Sequence, residues 1–549
     1  MGALRVLLRV EGVNLSTFID DTADLSTMRG ASLTLLRTID AIRETLPGAR
    51  CLSQGASAGL FEIKVEGQDQ ARQIRDDLER LLATGGTGPA GSRRKAVPDS
   101  YDKVVRLARY GTFTVDVEPL KDDGDFVRAS EAVLAANRWR QMQAPCLVPP
   151  EAGVKEGEPG ERVCNADHVR PANPKKTTRK WGGRPVSDAV HDRRGYGISQ
   201  KHGLYRQVLR QGMQEDGSSR ALPLDFPKSF APDMAQLADM RREDNLRGKI
   251  ALLYADGNHF GRLQQAYVEG REDVIWGFAD SDDASKTPAE RQQRFDKTIR
   301  SRRLDLLHAL LWRLYALREL TVVEDEIEVE QEQDPQQKRY MRLETQLWGG
   351  DELIWVVPAT VGAKVASLLF KETADWTIGG RPLTHAVGLV FCHHDAPIAR
   401  VRQLAHYLAE LCKAECREES RIAYQVLESF DHIGRDLAGF RQERSPPGIR
   451  PHNWILTPMS WDCLQKVAEG LHGRKFPRRR LRALAQSLYG EGVGPAFDEV
   501  EQAAFREVAG SEAIVEELRK ALGPAMWLHL EELWDYLTVD ELMPKDAAR

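Results

Sequence analysis

Apolar positions along the first 118 residues switch between two rhythms. Leu4 to Val10 has the two-residue period of a strand, and Leu60-Phe61-Glu62-Ile63-Lys64-Val65 repeats it. Between them, Ala31 to Leu46 carries Leu35, Leu36, Ile39 and Ile42 at helical spacing, and Ala71 to Leu82 returns to that spacing. The glycine-rich stretch Thr84 to Pro98 reads as a loop. A second region, about 241–432, predicts a similar succession. Lys249 to Ala255 is a strand, and Leu304, Leu307, Leu311 and Leu314 mark a helix. Arg342 to Trp348 and Leu353 to Val357 form a hairpin, and Val361 to Phe370 a helix. Leu383 to Cys392 is a strand, Pro397 to Cys412 a helix with proline near its start, and Arg421 to Leu427 a last strand. The order is the split β-α-β-β-α-β pattern of ferredoxin-like folds.

The intervening and final parts read differently. Residues 119–240 form a linker or helical insertion; 147–185 are rich in Gly, Pro, Lys and Arg without apolar periodicity. Residues 433–549 are mostly helical and include the basic cluster Arg474 to Arg482. The fold class expected is α+β, with units at 1–118 and 241–432 joined by an irregular insertion and followed by a helical C-terminal unit.

Composition narrows the class of protein. Of 549 residues, 42% are hydrophobic and 29% charged, ordinary for a globular chain too long for one core. The net charge of −5 argues against indiscriminate nucleic-acid binding. No apolar run approaches the roughly 20 residues that cross a bilayer, so no membrane partner is expected. The N-terminus reads as a strand rather than a signal peptide, and Val6 stands where a myristoylation signal needs Ser or Thr. Seven scattered cysteines fit a reducing cytoplasm without a disulfide framework.

The chemistry concentrates in Trp348-Gly349-Gly350-Asp351-Glu352-Leu353-Ile354-Trp355, two adjacent acids on a glycine turn before an apolar strand. A second strand, Leu252-Leu253-Tyr254-Ala255-Asp256-Gly257-Asn258, also ends in an acid and a glycine. Two strand ends offering carboxylate oxygen suggest a magnesium site for nucleotide chemistry. The first region echoes both: Val10-Glu11-Gly12 matches Ala255-Asp256-Gly257, and Gln54-Gly55-Ala56-Ser57-Ala58-Gly59-Leu60-Phe61 matches the turn, without its acids. Either the chain holds one metal-competent and one degenerate copy of a unit, or two αβ units look alike by chance.

Three segments in order carry a resemblance: Tyr254-Ala255-Asp256-Gly257-Asn258-His259-Phe260-Gly261, Gly349-Gly350-Asp351-Glu352, and the strand, paired histidines and proline of Ala386 to Ile398. The chain resembles the polymerase-cyclase large subunit of type III CRISPR effector complexes, the Cas-ten or Cmr-two family. Asp24 to Ser32 resembles that family's degenerate palm, and about 300 residues fall within the likeness. The resemblance implies two palm domains of nucleotide cyclase or polymerase type, the first degenerate. It implies a chain whose start at the first palm leaves out the family's HD nuclease. It also implies joining of nucleoside triphosphates, ATP foremost, into a cyclic or linear oligonucleotide messenger for antiviral defence. Asp256, Asp351 and Glu352 would be catalytic; Asp256, Asp351 and the Gly257 carbonyl would hold Mg2+ or Mn2+. Gly257, Asn258, Phe260, Gly349 and Gly350 would line the nucleotide site, and a second nucleotide would lie near Arg29, Gly30 and Ser32 on the first palm. Nucleoside triphosphates are the implied partners, with RNA and other defence subunits left open.

The departures from the family pattern matter as much. Asn258 replaces the second acid of the strand pair, and the family lysine falls near Lys413 or Glu415. Cys146, Cys164 and His168 lack a CxxC pair, which argues against zinc. His393 and His394 read best as structural or solvent-facing, and the acidic stretch Glu324 to Asp334 as a solvated loop. Two alternatives stay open. One is an RNA- or subunit-binding scaffold with a silent palm. The other is a diguanylate cyclase, against which stand Leu353 at the usual phenylalanine and Met341 and Glu344 at the inhibitory RxxD positions.

Overall fold

The computed structural model describes residues 4–537 except 14, 47, 87–98, 144–162, 201, 207, 209–228, 232, 239–244, 272–285, 317–319, 323–338, 350, 379–380, 429–436 and 507–509. Gly350, Cys146 and the acidic stretch Glu324 to Asp334 therefore lie outside the described residues.

The first unit contains β1 (Leu4–Val13), α1 (Leu25–Thr45), β2 (Arg50–Gln54), β3 (Ala58–Val65), α2 (Gln68–Thr84), α3 (Asp99–Ala108) and β4 (Thr112–Leu120). Asp24 caps α1, its carboxylate accepting from Thr27 N at 3.0 Å. The sheet order is β2-β3-β1-β4, antiparallel throughout. Helix α4 (Phe126–Gln143) follows and packs on β4 and β1.

Helix α5 (Asp188–Gln200) crosses α1 so closely that a Cβ on Gly30 would meet Arg193 O, and one on Gly197 would meet Ser26 O, each at 1.9 Å. The sequence pattern left this stretch as insertion. Its Asp-Arg-Arg-Gly-Tyr-Gly run reads as polar, yet Arg193 is fully buried and held by Asp21 at 2.6 Å.

The second unit is built from β5 (Lys249–Gly257), α6 (Phe260–Glu269), α7 (Pro288–Ala316), β6 (Glu344–Gly349), β7 (Glu352–Pro358), α8 (Ala359–Thr373), β8 (His385–His393), α9 (Ile398–Glu415) and β9 (Arg421–Val426). Its sheet runs β6-β7-β5-β8-β9 and gains a short sixth strand, β10 (Ile455–Leu456). Its first four strands repeat the order of the first sheet. Both faces are covered, so β5 reads as one apolar run. Ala251, Leu253 and Ala255 enter the core beneath α8. Ile250, Leu252 and Tyr254 enter a second core with α9 and with Leu25, Met28, Ala31 and Leu35 of α1. Burying each such large aliphatic side chain contributes about 1.5–3 kcal/mol.

The C-terminal helices α10 (Pro458–Gly473), α11 (Arg478–Glu491), α12 (Pro495–Arg506), α13 (Ser511–Leu522) and α14 (Met526–Leu537) extend the α8-side core through Trp461, Trp527 and Leu530. Among the described residues, no helix is long and apolar enough to cross a membrane.

Candidate functional site

The site forms where β5, the β6–β7 turn and α9 meet. Strand pairing sets Glu352 directly opposite Asp256, so both side chains leave the same face of the sheet. Asp351 lies one residue earlier in the turn, and its carbonyl accepts from Gly257 N at 3.1 Å. Tyr254, two residues before Asp256 on the same strand face, donates its hydroxyl to Glu352 Oε1 at 3.0 Å and Asp256 Oδ2 at 3.3 Å.

Lys413 approaches from the last turn of α9. Its Nζ lies 2.5 Å from Asp256 Oδ2 and 2.9 Å from Glu410 Oε1. Burial depresses the lysine's basicity, but these two acceptors outweigh it and leave its pKa raised. Of the two positions Lys413 and Glu415, Lys413 is the one that contacts Asp256.

The carboxylates repel one another. Burial, then Asp256, raises the pKa of Asp351; burial, then Asp256 and Asp351, raises that of Glu352. The three do not all close within 4.8 Å of one another. Buried Asp256 with half-buried Asp351 and Glu352 at the strand ends forms an oxygen donor set of the kind that could hold a hard dication.

Arg303, on α7, holds the turn from beneath. It is 3% exposed, and its Nη1 donates to Gly349 O and Glu352 O, both at 2.9 Å. Burial lowers its pKa to about 10 against the pull of Asp351, Glu352 and Asp256. Sequence reasoning missed it, because an arginine in a long charged helix reads as a solvent-facing residue.

Beside the acids opens a cavity of about 650 Å3 rimmed by Arg262, Arg271, Arg381 and Arg417, with Asn258 and Thr384 in its wall. Asn258 donates to Thr384 Oγ1 at 3.0 Å, while its buried Oδ1 has no protein partner. Gly257, Asn258, Asp256, Asp351, Glu352 and Gly349 therefore converge on one corner. These arginines come from separate segments, which is why no local motif revealed them.

Three expected residues lie elsewhere. Phe260 turns into the core and packs edge-to-face on Phe295 at 5.5 Å. Arg29 is 5% exposed and paired with Glu344, Nη2 to Oε2 at 2.5 Å; Ser32 donates to Gln346 O at 2.6 Å. Both fasten α1 to β6; Arg29 is buried in its ion pair, and Ser32 borders a small, largely apolar cleft between α1 and β6 rather than the arginine-rimmed cavity. Cys164 is buried and His168 exposed, joined by a backbone bond from His168 N to Cys164 O.

The first unit reproduces the turn without its chemistry. Gly12 N donates to Ser57 O at 2.7 Å, as Gly257 N does to Asp351 O. Glu11 pairs with Ala58 as Asp256 pairs with Glu352. Ser57 and Ala58 thus occupy the places of Asp351 and Glu352. The two turns also touch: a Cβ on Gly349 would lie 2.2 Å from the Ala56 Cβ.

Similar solved structures include chains of the Csm1-Csm4 cassette in complex with pppApA (TM-score 0.52, 11% identity), with cA4 (0.51, 11%) and with AMPPNP (0.51, 12%). The matches cover 98%, 98% and 97% of this chain and 70% of each matched chain. At this identity the likeness establishes a shared fold. No family model and no curated protein matches the chain.

Proposed function

We propose that the second unit is a palm-type nucleotidyltransferase of the type III CRISPR large subunit, joining ATP into cyclic or linear oligoadenylate, with the first unit its degenerate partner palm. The observation that carries this reading is the corner itself: Asp256, Asp351 and Glu352 gathered by two strand ends, with Lys413 among them and an arginine-rimmed cavity alongside. The shared fold with Csm1-Csm4 cassettes solved with ATP analogues and adenylate products supports the substrate class.

The donor set fits Mg2+ or Mn2+. Asp256 and Asp351 would hold the ion, with the Gly257 carbonyl as a further oxygen. When bound, such an ion activates the attacking hydroxyl and neutralises charge on the leaving pyrophosphate. The chain's own residues do the rest. The arginine rim and Lys413 draw the triphosphate toward the acids. Arg303 fixes the backbone of the turn that carries the two acids. The ribose 3′-oxygen then bonds to the α-phosphorus, its proton passes to water, the α–β bridging P–O bond breaks and pyrophosphate leaves. Glu352, bonded to Tyr254, either joins the ion or orients the nucleotide.

Purified protein with ATP and Mg2+ or Mn2+ should release pyrophosphate and form oligonucleotides, and Asp351→Asn should stop both. Equal silence from wild type and variant across all four triphosphates and plausible activators would sink the reading. A second reading, a nucleotide-silent scaffold, rests on the Lys413–Asp256 pair and on Asn258, which turns to Thr384 instead of supplying a second acid beside Asp256. Calorimetry with ATP and Mg2+ separates the two, because a scaffold shows no Asp351-dependent binding.

A further inference from the structure

The far end of the same sheet carries a different cluster. Strand β8 begins at His385 beside the acids and ends at His393, paired with Lys249 at the opposite edge. The chain then turns through His394 and Asp395 into α9. His394 Nδ1 lies 3.0 Å from Asp395 Oδ1, and His393 Nδ1 lies 3.5 Å from Asp395 Oδ2. The two imidazoles lean together with centroids 4.4 Å apart. All three side chains thus offer a ligand atom within 4.8 Å of the others, and among the described residues this is the one such group.

The backbone holds this arrangement in place. His394 N donates to Gly248 O at 2.9 Å and Ala396 N to His393 O at 3.0 Å, which closes the turn. Asp395 N points at His393 Nδ1 at 3.4 Å. His394 is only 11% exposed at its side chain, so one ligand is already fixed by packing. A tetrahedral ion with arms of about 2.0–2.1 Å separates its ligands by about 3.3 Å. The His394 Nδ1–Asp395 Oδ1 separation of 3.0 Å is close to that value, and the exposed His393, whose Nδ1 faces Asp395 N, would turn its ring to offer a nitrogen to the ion. Asp233, which caps the short helix Met234–Leu237 by accepting from Gln236 N, also acts electrostatically on His394.

We propose that His393, His394 and Asp395 form a binding site for a borderline transition-metal dication such as Zn2+, separate from the acidic corner. Two imidazoles and a carboxylate favour such an ion over Mg2+, which prefers oxygen ligands. The ion would tie the end of the central strand to the start of the helix that carries Lys413. The site does not depend on the nucleotidyltransferase reading.

Untagged, chelator-treated full-length protein should be titrated with Co2+ by absorbance and with Zn2+ by calorimetry. One equivalent should bind in the micromolar range, with a d–d absorption band for Co2+. His394→Ala and His393→Ala should each weaken binding tenfold or more, and Zn2+ should raise the melting temperature of wild type but not of the variants. Asp351→Asn should bind Zn2+ like wild type, and millimolar Mg2+ should not compete. Binding weaker than millimolar, or binding that survives both histidine substitutions, would overturn the site. Because His393 is half exposed, its alanine variant keeps the fold and isolates the ligand's contribution.

Discussion

Lys413 Nζ rests 2.5 Å from Asp256 Oδ2, on a carboxylate that a divalent ion would need. The lysine and the ion are competitors for that oxygen. Lys413→Gln should therefore tighten Mn2+ binding to the nucleotide-free protein by roughly tenfold, the scale of one charge-assisted hydrogen bond. It should also raise the KM for ATP, because a phosphate anchor is lost. Electron paramagnetic resonance of free Mn2+ reads the first effect and steady-state kinetics the second. An unchanged Mn2+ titration would show that the pair does not gate the ion.

Asp351 gives a pH signature. Its folded pKa is raised, by burial and then by Asp256. A raised group adds stability that is complete below its unfolded pKa, about 4, and lost as pH rises through the folded value. Wild type should therefore lose ground against Asp351→Asn as the pH is raised from acid to neutral. Added Mg2+ should narrow the gap at the higher pH, since an ion bound to the wild type offsets the repulsion. Thermal unfolding of both proteins at both pH values tests this, and a gap independent of pH would contradict it.

Arg303 joins two carbonyls under the turn and has no route to solvent. Arg303→Met should cost about 2–3 kcal/mol, the loss of charged hydrogen bonds in a buried place. Arg303→Lys should recover part of that, with one donor head in place of a fork. Combined with Asp351→Asn, the methionine variant should cost less than alone, because one of the charges it balances is gone. Urea denaturation of the four proteins supplies the cycle.

The Arg29–Glu344 pair predicts a stability effect and no kinetic one. Breaking it singly, as Arg29→Met, should cost about 3–5 kcal/mol, whereas Arg29→Met with Glu344→Leu should recover most of the loss. The KM for ATP of any folded single variant should match wild type. A raised KM without destabilisation would return Arg29 to the nucleotide site.

What could be read from the sequence was local. The strand ends at Asp256 and Asp351, the hairpin between β6 and β7, and the α9 proline start are each encoded within a dozen residues. Lys413 entered only as one of two positions that the family resemblance offered. Arg29 was misjudged because its partner lies 315 positions away, and no periodicity reports a buried pair across such a distance. Phe260 follows the acidic strand end so closely that it passed for a ligand contact, whereas its ring belongs to the core. Arg303 and the arginine rim were invisible for a related reason: folding brings them together from helices and loops that separately look solvated.

The contact between Gly349 and Ala56 leaves no slack. With less than a methyl group's clearance, the first unit cannot rock toward the second without pushing on the very loop that presents Asp351. Nor can it rock away without opening a void there. Any displacement of the first unit thus reaches the acids through a single methyl group, and the sheet without carboxylates at its turn bears mechanically on the sheet that has them.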